Sequence, residues 1–500
     1  MRSLIKYLTN HVTFLQLSSS FLCAVSILLT LLLNPEPINP DGLLYLQASQ
    51  AYLSDGLKAS LAIFSWPLIS LTFATLHQLT HLSLERSAYL ANLIFSFFFV
   101  WNFIGITRRL APTNKRFLLA SCLIIVLYPE LNRDAMMITR DIAYWAFSSY
   151  ALLSLLRYSQ KPRWLTAILF GLAQGIATLY RAEGLVIWLL LPFALLFIRT
   201  LKYPLWQIIR SQVILLILTF LALLFIAELP TEQVSDQLQR IIAPLTHFHT
   251  SWIENWQEKI SHLNDYVLTP NAKGNGITLL WGGSLAVIAV AIFKSLSGFY
   301  CLLAAYGLRV YRHPRHERLI PLYHPLLLGF FFINLAIITG VAFQHQFLMS
   351  RYVVPCAWLL LLFSAYGLSH LPKRFPFTLI VSLCFIAVLI TNLKHTGHSK
   401  QYIISAGTWL KNHAESKTIF SNAPQIIYYA GRSVDYKHNP FTQEQFLALS
   451  KNKGLSKFDY VVYVKTHDEI AAPFNQLPIA VFENSRHDAA LIYKMYSGNK

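Results

Sequence analysis

The chain has 500 residues, of which 55% are hydrophobic, 14% aromatic and only 13% charged. Soluble globular chains carry about 25% charged residues, so this composition excludes a soluble protein. The formal charge of +18 invites a nucleic-acid reading, but the Lys and Arg residues lie between apolar runs and build no separate basic domain, which excludes that class too.

The first apolar run, Phe14 to Leu33, follows Arg2 and Lys6. It is too long for the apolar core of a cleaved signal peptide and reads as a retained signal anchor. Runs near 20 residues recur along the first four-fifths of the chain, and each can cross a hydrocarbon core of about 30 Å. They predict membrane helices over 14–33, 87–107, 117–130, 137–156, 164–180, 183–199, 210–228, 281–308, 320–343, 352–370 and 375–393, about 11 in all. The run 117–130 is short, and 281–308 contains Lys294 and is expected to begin as an interfacial helix. The five cysteines all fall inside apolar runs, with spacing that fits neither a zinc site nor a disulfide framework, and read as small core residues.

Residues 61–80 could also span, but charge parity argues that they lie flat on the outer surface. With the N-terminus inside and 61–80 not spanning, 18 basic residues fall in short inner loops and nine in outer segments before residue 394. Of the fifteen acidic residues in the same stretch, only Glu317 falls inside. That is the positive-inside pattern. A spanning 61–80 would turn TRRLAPTNKR and every later basic loop outward. The same parity places Asp41, in NPEPINPDGLLYLQASQAYLSDG, on the non-cytoplasmic face.

Two further outer segments are expected. Residues 229–280 form a polar loop whose Trp252, Ile253, Trp256, Ile260 and Leu263 suit an interfacial helix. Residues 394–500 alternate short apolar strands (Thr418–Phe420, Tyr460–Val464, Ile479–Phe482, Ala489–Tyr493) with helical stretches (Tyr402–His413, Gln425–Tyr429, Gln443–Leu449), the pattern of a small α/β domain. The expected organisation is a transmembrane domain over 1–393, with juxtamembrane helices in 34–86 and the loop 229–280, followed by an extracytoplasmic α/β domain over 394–500.

The candidate site residues gather at the outer ends of these helices. Asp41 and Tyr45 follow the first span. Glu130, Arg133, Asp134, Arg140 and Asp141 lie in YPELNRDAMMITRDIAYW, Arg181 and Glu183 in the turn YRAEGL, and Arg351 with Tyr352 opens the tenth span in SRYVVP. Ionisable residues at membrane depth are costly and point to function. The four arginines sit on the side that basic residues avoid, and an anionic ligand accounts for them, since Arg binds phosphate bidentately and keeps its charge in a partly dry site. Blander readings stand beside this one: Asp41 as a helix cap, Arg133 with Asp134 or Arg140 with Asp141 as simple pairs, and Arg351 reaching for lipid headgroups. His77 and His81 stand four apart but read as interfacial polar residues rather than metal ligands. There is no phosphate-binding Gly-rich loop and no Ser-His-Asp signature.

The order of these motifs resembles the polytopic GT-C glycosyltransferases, in particular the branch of protein O-mannosyltransferases and the lipid A aminoarabinose transferase. PDGLLYLQASQAYLSDG is similar to that group's acidic motif in the first outer loop, with Gly42 where many members have a second acid. FSWPLISLTFATL and LERSAYLANLIFSFF resemble its surface helix and the start of its second span. ITRDIAYWAFSSYALL resembles its second acidic position, carried here to Asp141. YRAEGLVIWLLLP is similar to the R-P-E-G-L turn with Ala182 for Pro, and RYVVPCAWLLLL to the R-Y-x-x-P opening of a late helix.

The resemblance implies a GT-C fold and an inverting transfer of a sugar from a polyprenyl-phosphate donor to a hydroxyl of a lipid, glycan or protein acceptor. It implies Asp41 as general base and Arg181, Arg351 and either Arg133 or Arg140 as the cations that meet the leaving phosphate. Asp141 and Glu130 would orient the acceptor, position an arginine or hold a divalent cation such as Mg or Mn. No cofactor is required, since the arginines can do the neutralising. Membrane lipids are the other expected partners, and the absence of any N-x-Ser/Thr sequon is consistent with a bacterial inner membrane. The alternative function is a non-catalytic transporter or flippase of lipid-linked saccharides. Against it, the charges gather at one face and no matching pair of interrupted helices appears.

Overall fold

The computed structural model describes residues 12–227, 254–312, 324–372, 375–393, 399–415, 417–434, 454–467 and 476–495. The chain divides into two compact units: one of Met1–Cys23, Phe95–Leu131 and Asp141–Phe385, the other of Ala24–Ile94, Asn132–Arg140 and Ile386–Lys500.

The first unit is helical. Helix Asp141–Gln160 packs along Trp164–Tyr180, and Gly276–Arg312 along Ser350–Ser369. The second pair touches backbone to backbone: a Cβ on Gly307 would lie 2.0 Å from the Phe363 carbonyl oxygen, and one on Gly367 would lie 2.3 Å from that of Leu303. Without a hydrophobic drive between helices in lipid, such close approach supplies the packing attraction. Polar side chains bridge helices as well. Ser364 Oγ donates to the Tyr300 carbonyl at 2.9 Å, and Asn102 Nδ2 to the Ala146 carbonyl at 2.9 Å. Rings of Phe95, Phe147 and Tyr180 cluster beside the turn that follows Tyr180, with Phe147 and Tyr180 stacked.

Every expected span falls on a helix, but the expected number is larger than the number of full-length apolar helices. Among the described residues, five helices are long and apolar enough to cross a bilayer, or six if the pair Pro204–Ser211 and Val213–Leu221, bent by 48°, is one span. Some of the others are shortened: Lys115–Val126 has 12 residues, and Glu183–Leu190 runs into a 3-10 turn at Leu191–Phe197, opened by Pro192, whereas Asp141–Gln160 keeps 20 residues but is less apolar. The helix expected at 281–308 begins earlier and runs Gly276–Arg312, with a break at Ser297 (φ 62°).

The second unit joins juxtamembrane helices to a sheet. Residues 61–80 are split by Phe64–Pro67 into Leu57–Ile63 and Leu68–Thr80. The longer has 13 residues, roughly 20 Å of helix, short of a bilayer core. The sheet has strand order β1-β2-β4-β3, with β1 (Ile419–Ser421) parallel to β2 (Tyr460–Lys465), β2 antiparallel to β4 (Ala489–Lys494), and β4 antiparallel to β3 (Ala480–Glu483). Alternation along β2 and β4 sends Tyr460, Val462, Ala490 and Ile492 against helices Gln401–His413 and Pro424–Tyr429, and Val461, Tyr463, Leu491 and Tyr493 to the opposite core with Phe420 and Leu455. These elements match the expected α/β tail within one or two residues. The helix expected at Gln443–Leu449 lies outside the described residues, as do Trp252 and Ile253 of the outer loop.

Candidate active site

In the first unit, five of the expected residues meet at helix ends. Asp141 opens helix Asp141–Gln160, Arg181 caps the end of Trp164–Tyr180, Glu183 opens Glu183–Leu190, and Arg351 with Tyr352 lies in the first turn of Ser350–Ser369. Acidic residues at helix N-termini follow the macrodipole; Arg351 opposes it and needs a compensating anion. The YRAEGL turn sets the geometry. Gly184 is packed so closely that a Cβ would sit 2.9 Å from the backbone of Thr178, while Gln174 Nε2 holds the Gly184 carbonyl at 2.8 Å.

Arg181 is engaged on two sides. Its Nη1 donates to Asp141 Oδ1, its Nη2 to Glu183 Oε1 at 2.5 Å and its Nε to Glu183 Oε2 at 3.3 Å. Arg351 approaches the other oxygen of Asp141, Nε to Oδ2 at 3.7 Å. Asp141 is 3% and Arg181 7% exposed, so both charges are desolvated and depend on each other. Tyr352 lies between the cations, its ring centre 4.5 Å from the Arg181 guanidinium and 5.6 Å from that of Arg351, and Tyr144 faces Arg181 at 5.8 Å. Asp141 therefore pairs across helices, with Arg181 and Arg351, rather than with its neighbour Arg140. Tyr144 escaped the sequence reading; one turn after Asp141 on the same helix, its spacing was the available signal.

The second unit holds Asp41, Tyr45 and Arg140. Asp41 lies in the first turn of helix Pro40–Asp55, half-buried, behind Asn39 at the N-cap position. Asn39 does not cap the helix with its side chain. It reaches across to residue 138, accepting from the Ile138 amide at 2.8 Å and donating to the Ile138 carbonyl at 3.1 Å. The amide of Ile38 donates to the Tyr429 hydroxyl at 3.1 Å, and burial pushes that phenol upward, so it stays a neutral acceptor. Gly42 explains itself here: a Cβ would meet Ile138 Cβ at 2.8 Å, Asn39 Oδ1 at 2.9 Å and Ile38 Cγ2 at 2.9 Å. No second acid fits behind Asp41. Tyr45 packs its ring 5.0 Å from that of Phe64, and the Arg140 guanidinium lies over the Phe64 ring, 5.7 Å from its centre. Phe64 was not foreseen, because nothing in FSWPL marks it apart from other apolar residues.

Glu130, Arg133 and Asp134 share the short helix Pro129–Ala135, with both acids buried and Arg133 exposed.

No protein-family model and no curated protein matches the sequence. Among solved structures, the Archaeoglobus fulgidus oligosaccharyltransferase superimposes with a TM-score of 0.51 at 14% identity, over 89% of this chain and 68% of that one. The chain has the GT-C fold. ArnT from Cupriavidus metallidurans, also solved bound to undecaprenyl phosphate, aligns with this chain at a TM-score of 0.41 and 14% identity over 96% of it and 98% of ArnT. The mycobacterial arabinofuranosyltransferase AftD aligns at 0.46 and 13% over 96% of this chain and 40% of AftD.

Proposed function

We propose that this chain is an inverting glycosyltransferase that moves a sugar from a polyprenyl-phosphate donor to an acceptor hydroxyl at the outer face of the membrane. The observation that supports it most is the group of buried Asp141 and Arg181 with half-buried Glu183, Arg351 and Tyr352. Two desolvated guanidinium groups held by aromatic faces at helix ends suit an anion that gains charge during reaction.

In the reaction so read, the acceptor oxygen attacks the anomeric carbon as its proton passes to the Asp41 carboxylate. The bond from that carbon to the phosphate oxygen breaks, and the polyprenyl phosphate leaves with the electron pair. Arg351, whose Nε stands 3.7 Å from Asp141 Oδ2, receives the phosphate. Arg181, engaged by two carboxylates, holds Asp141 in place, and Asp141 in turn orients Arg351. Arg133 and Arg140 remain further candidates for the donor, Glu130 and Tyr45 for the acceptor, whose nature as lipid, glycan or protein follows from outside this site.

A divalent cation does not fit at Asp141. Both carboxylate oxygens face guanidinium groups, and among the described residues no three His, Cys, Asp or Glu side chains come together to hold a metal. The location that goes with this reading is a bacterial inner membrane, with the site and the α/β tail outside.

Arg351→Ala tests the assignment. A charge-assisted hydrogen bond is worth about 1.5–3 kcal/mol, so affinity for a polyprenyl phosphate should fall about 10- to 150-fold in a binding titration. Unchanged affinity would remove Arg351 from the phosphate contact.

A further inference from the structure

The far ends of the first unit's helices carry a second collection of cations, with no acid among them. The connections 108–116, 157–163 and 199–212 contain no Asp or Glu, and the structure brings them together. Arg109 Nη1 donates to Gln160 Oε1 at 3.2 Å. The Tyr158 hydroxyl donates to the Gln207 carbonyl at 3.2 Å. The Arg210 guanidinium lies 4.3 Å above the Trp164 ring, with Nη1 3.4 Å from the Pro162 carbonyl. Among the described residues, the buried Nε–H groups of Arg157 and Arg210 have no hydrogen-bond acceptor. Like charges gathered without carboxylates repel, and buried donors without acceptors cost free energy, unless an anion from outside the chain supplies both.

The apolar surroundings say which anion. Helix Pro204–Ser211 buries Ile208 but exposes Leu205 (67%), Trp206 (54%) and Ile209 (52%), and the chain then bends by 48° into Val213–Leu221. Trp164, on the ring that carries Arg210, is itself 50% exposed. Exposed Trp and Leu beside exposed Lys161, Arg163 and Lys202 are the signature of a segment lying in the headgroup region with its apolar face toward the acyl chains. Free phosphate would use the cations and leave the apolar face without a partner. A phospholipid uses both.

We infer that this end of the bundle is a docking surface for anionic phospholipid, with the headgroup phosphate against Arg210, Arg163, Lys161 and Lys202 and the acyl chains against Leu205, Trp206 and Ile209. The inference does not depend on the proposed transfer reaction.

The test uses purified full-length protein, titrated in detergent with short-chain phosphatidylglycerol, phosphatidylcholine or inorganic phosphate, with the shift in unfolding temperature as readout. Phosphatidylglycerol should bind at least tenfold tighter than phosphatidylcholine, and more weakly as salt rises. The pair Lys161→Gln with Lys202→Gln changes only exposed side chains, so folding is preserved. Each basic residue near an anionic headgroup is worth about fivefold, so that variant should lose about 25-fold in phosphatidylglycerol affinity and little for phosphatidylcholine. Equal binding of the two lipids would overturn the inference. So would an unchanged preference in the double variant, or an equal response to inorganic phosphate, which needs no apolar face.

Discussion

Two carboxylates at helix N-termini are held in opposite ways. Asp141 is fixed by side chains: two arginines from other helices meet its two oxygens in a place almost closed to water. Asp41 is fixed by backbone: Asn39 grips residue 138 at both its amide and carbonyl, Tyr429 accepts from the Ile38 amide, and Gly42 leaves no space for a side chain behind it. A carboxylate neutralised by cations makes a good anchor and a poor base. Side-chain pairing across helices holds Asp141, whereas backbone contacts hold the turn that carries Asp41. Under the proposed function the first is a positioning acid and the second the base.

The largest effect should come from the anchor. Arg181→Ala leaves buried Asp141 and half-buried Glu183 without their shared cation, and breaking a buried pair such as Arg181–Asp141 costs about 3–5 kcal/mol. The unfolding temperature in detergent should fall sharply, and Arg181→Lys should recover only part, since an ammonium cannot serve two carboxylates with a planar fork. Stability equal to wild type in Arg181→Ala would show that Asp141 is held by something else.

The Asp41 side of the comparison breaks at Gly42. Gly42→Ala forces a Cβ against the branched Ile138 side chain, overpacking worth about 1–3 kcal/mol, and should displace the turn that presents Asp41. Gly42→Glu, which restores the second acid seen in the resembling enzymes, should lose activity as well. An active Gly42→Glu variant would show that the close approach is not essential.

A smaller change sharpens the same point. Tyr429→Phe removes one acceptor from a backbone amide, about 0.5–1.5 kcal/mol, without changing volume. Hydrogen exchange at the Ile38 amide should speed up, with a modest loss of activity. Unaltered exchange would mean the Tyr429 hydroxyl does not hold that turn.

Much of this was readable in the sequence. Apolar runs located the helices, and the strands of the tail were found within one or two residues because alternating burial leaves a period-2 pattern. Misplaced charge marked Arg133, Arg140, Arg181 and Arg351 as one group, and of these Arg181 and Arg351 meet at Asp141 in the first unit. Partner choice was less legible: Arg140 sits next to Asp141 in sequence, yet Asp141 pairs with residues 40 and 210 positions away, which only helix packing decides. Nor could sequence say why Gly42 replaces an acid, because the reason is the distance to Ile138. Full-length apolar helices are fewer than eleven among the described residues partly because Pro192 and the bend after Ser211 interrupt apolar runs that look continuous by composition.

The proposed chemistry is glycosyl transfer with Asp41 as base. Its most direct test incubates the purified protein, and its Asp41→Asn variant, with a panel of polyprenyl-phosphate sugars and hydroxyl acceptors, followed by mass analysis. The wild type should release free polyprenyl phosphate and add one sugar to an acceptor, and Asp41→Asn should fold and insert normally while losing roughly 100- to 10,000-fold in turnover, the range of general-base contributions. Near-normal turnover in Asp41→Asn, or movement of the donor across the bilayer with no sugar transferred, would contradict it.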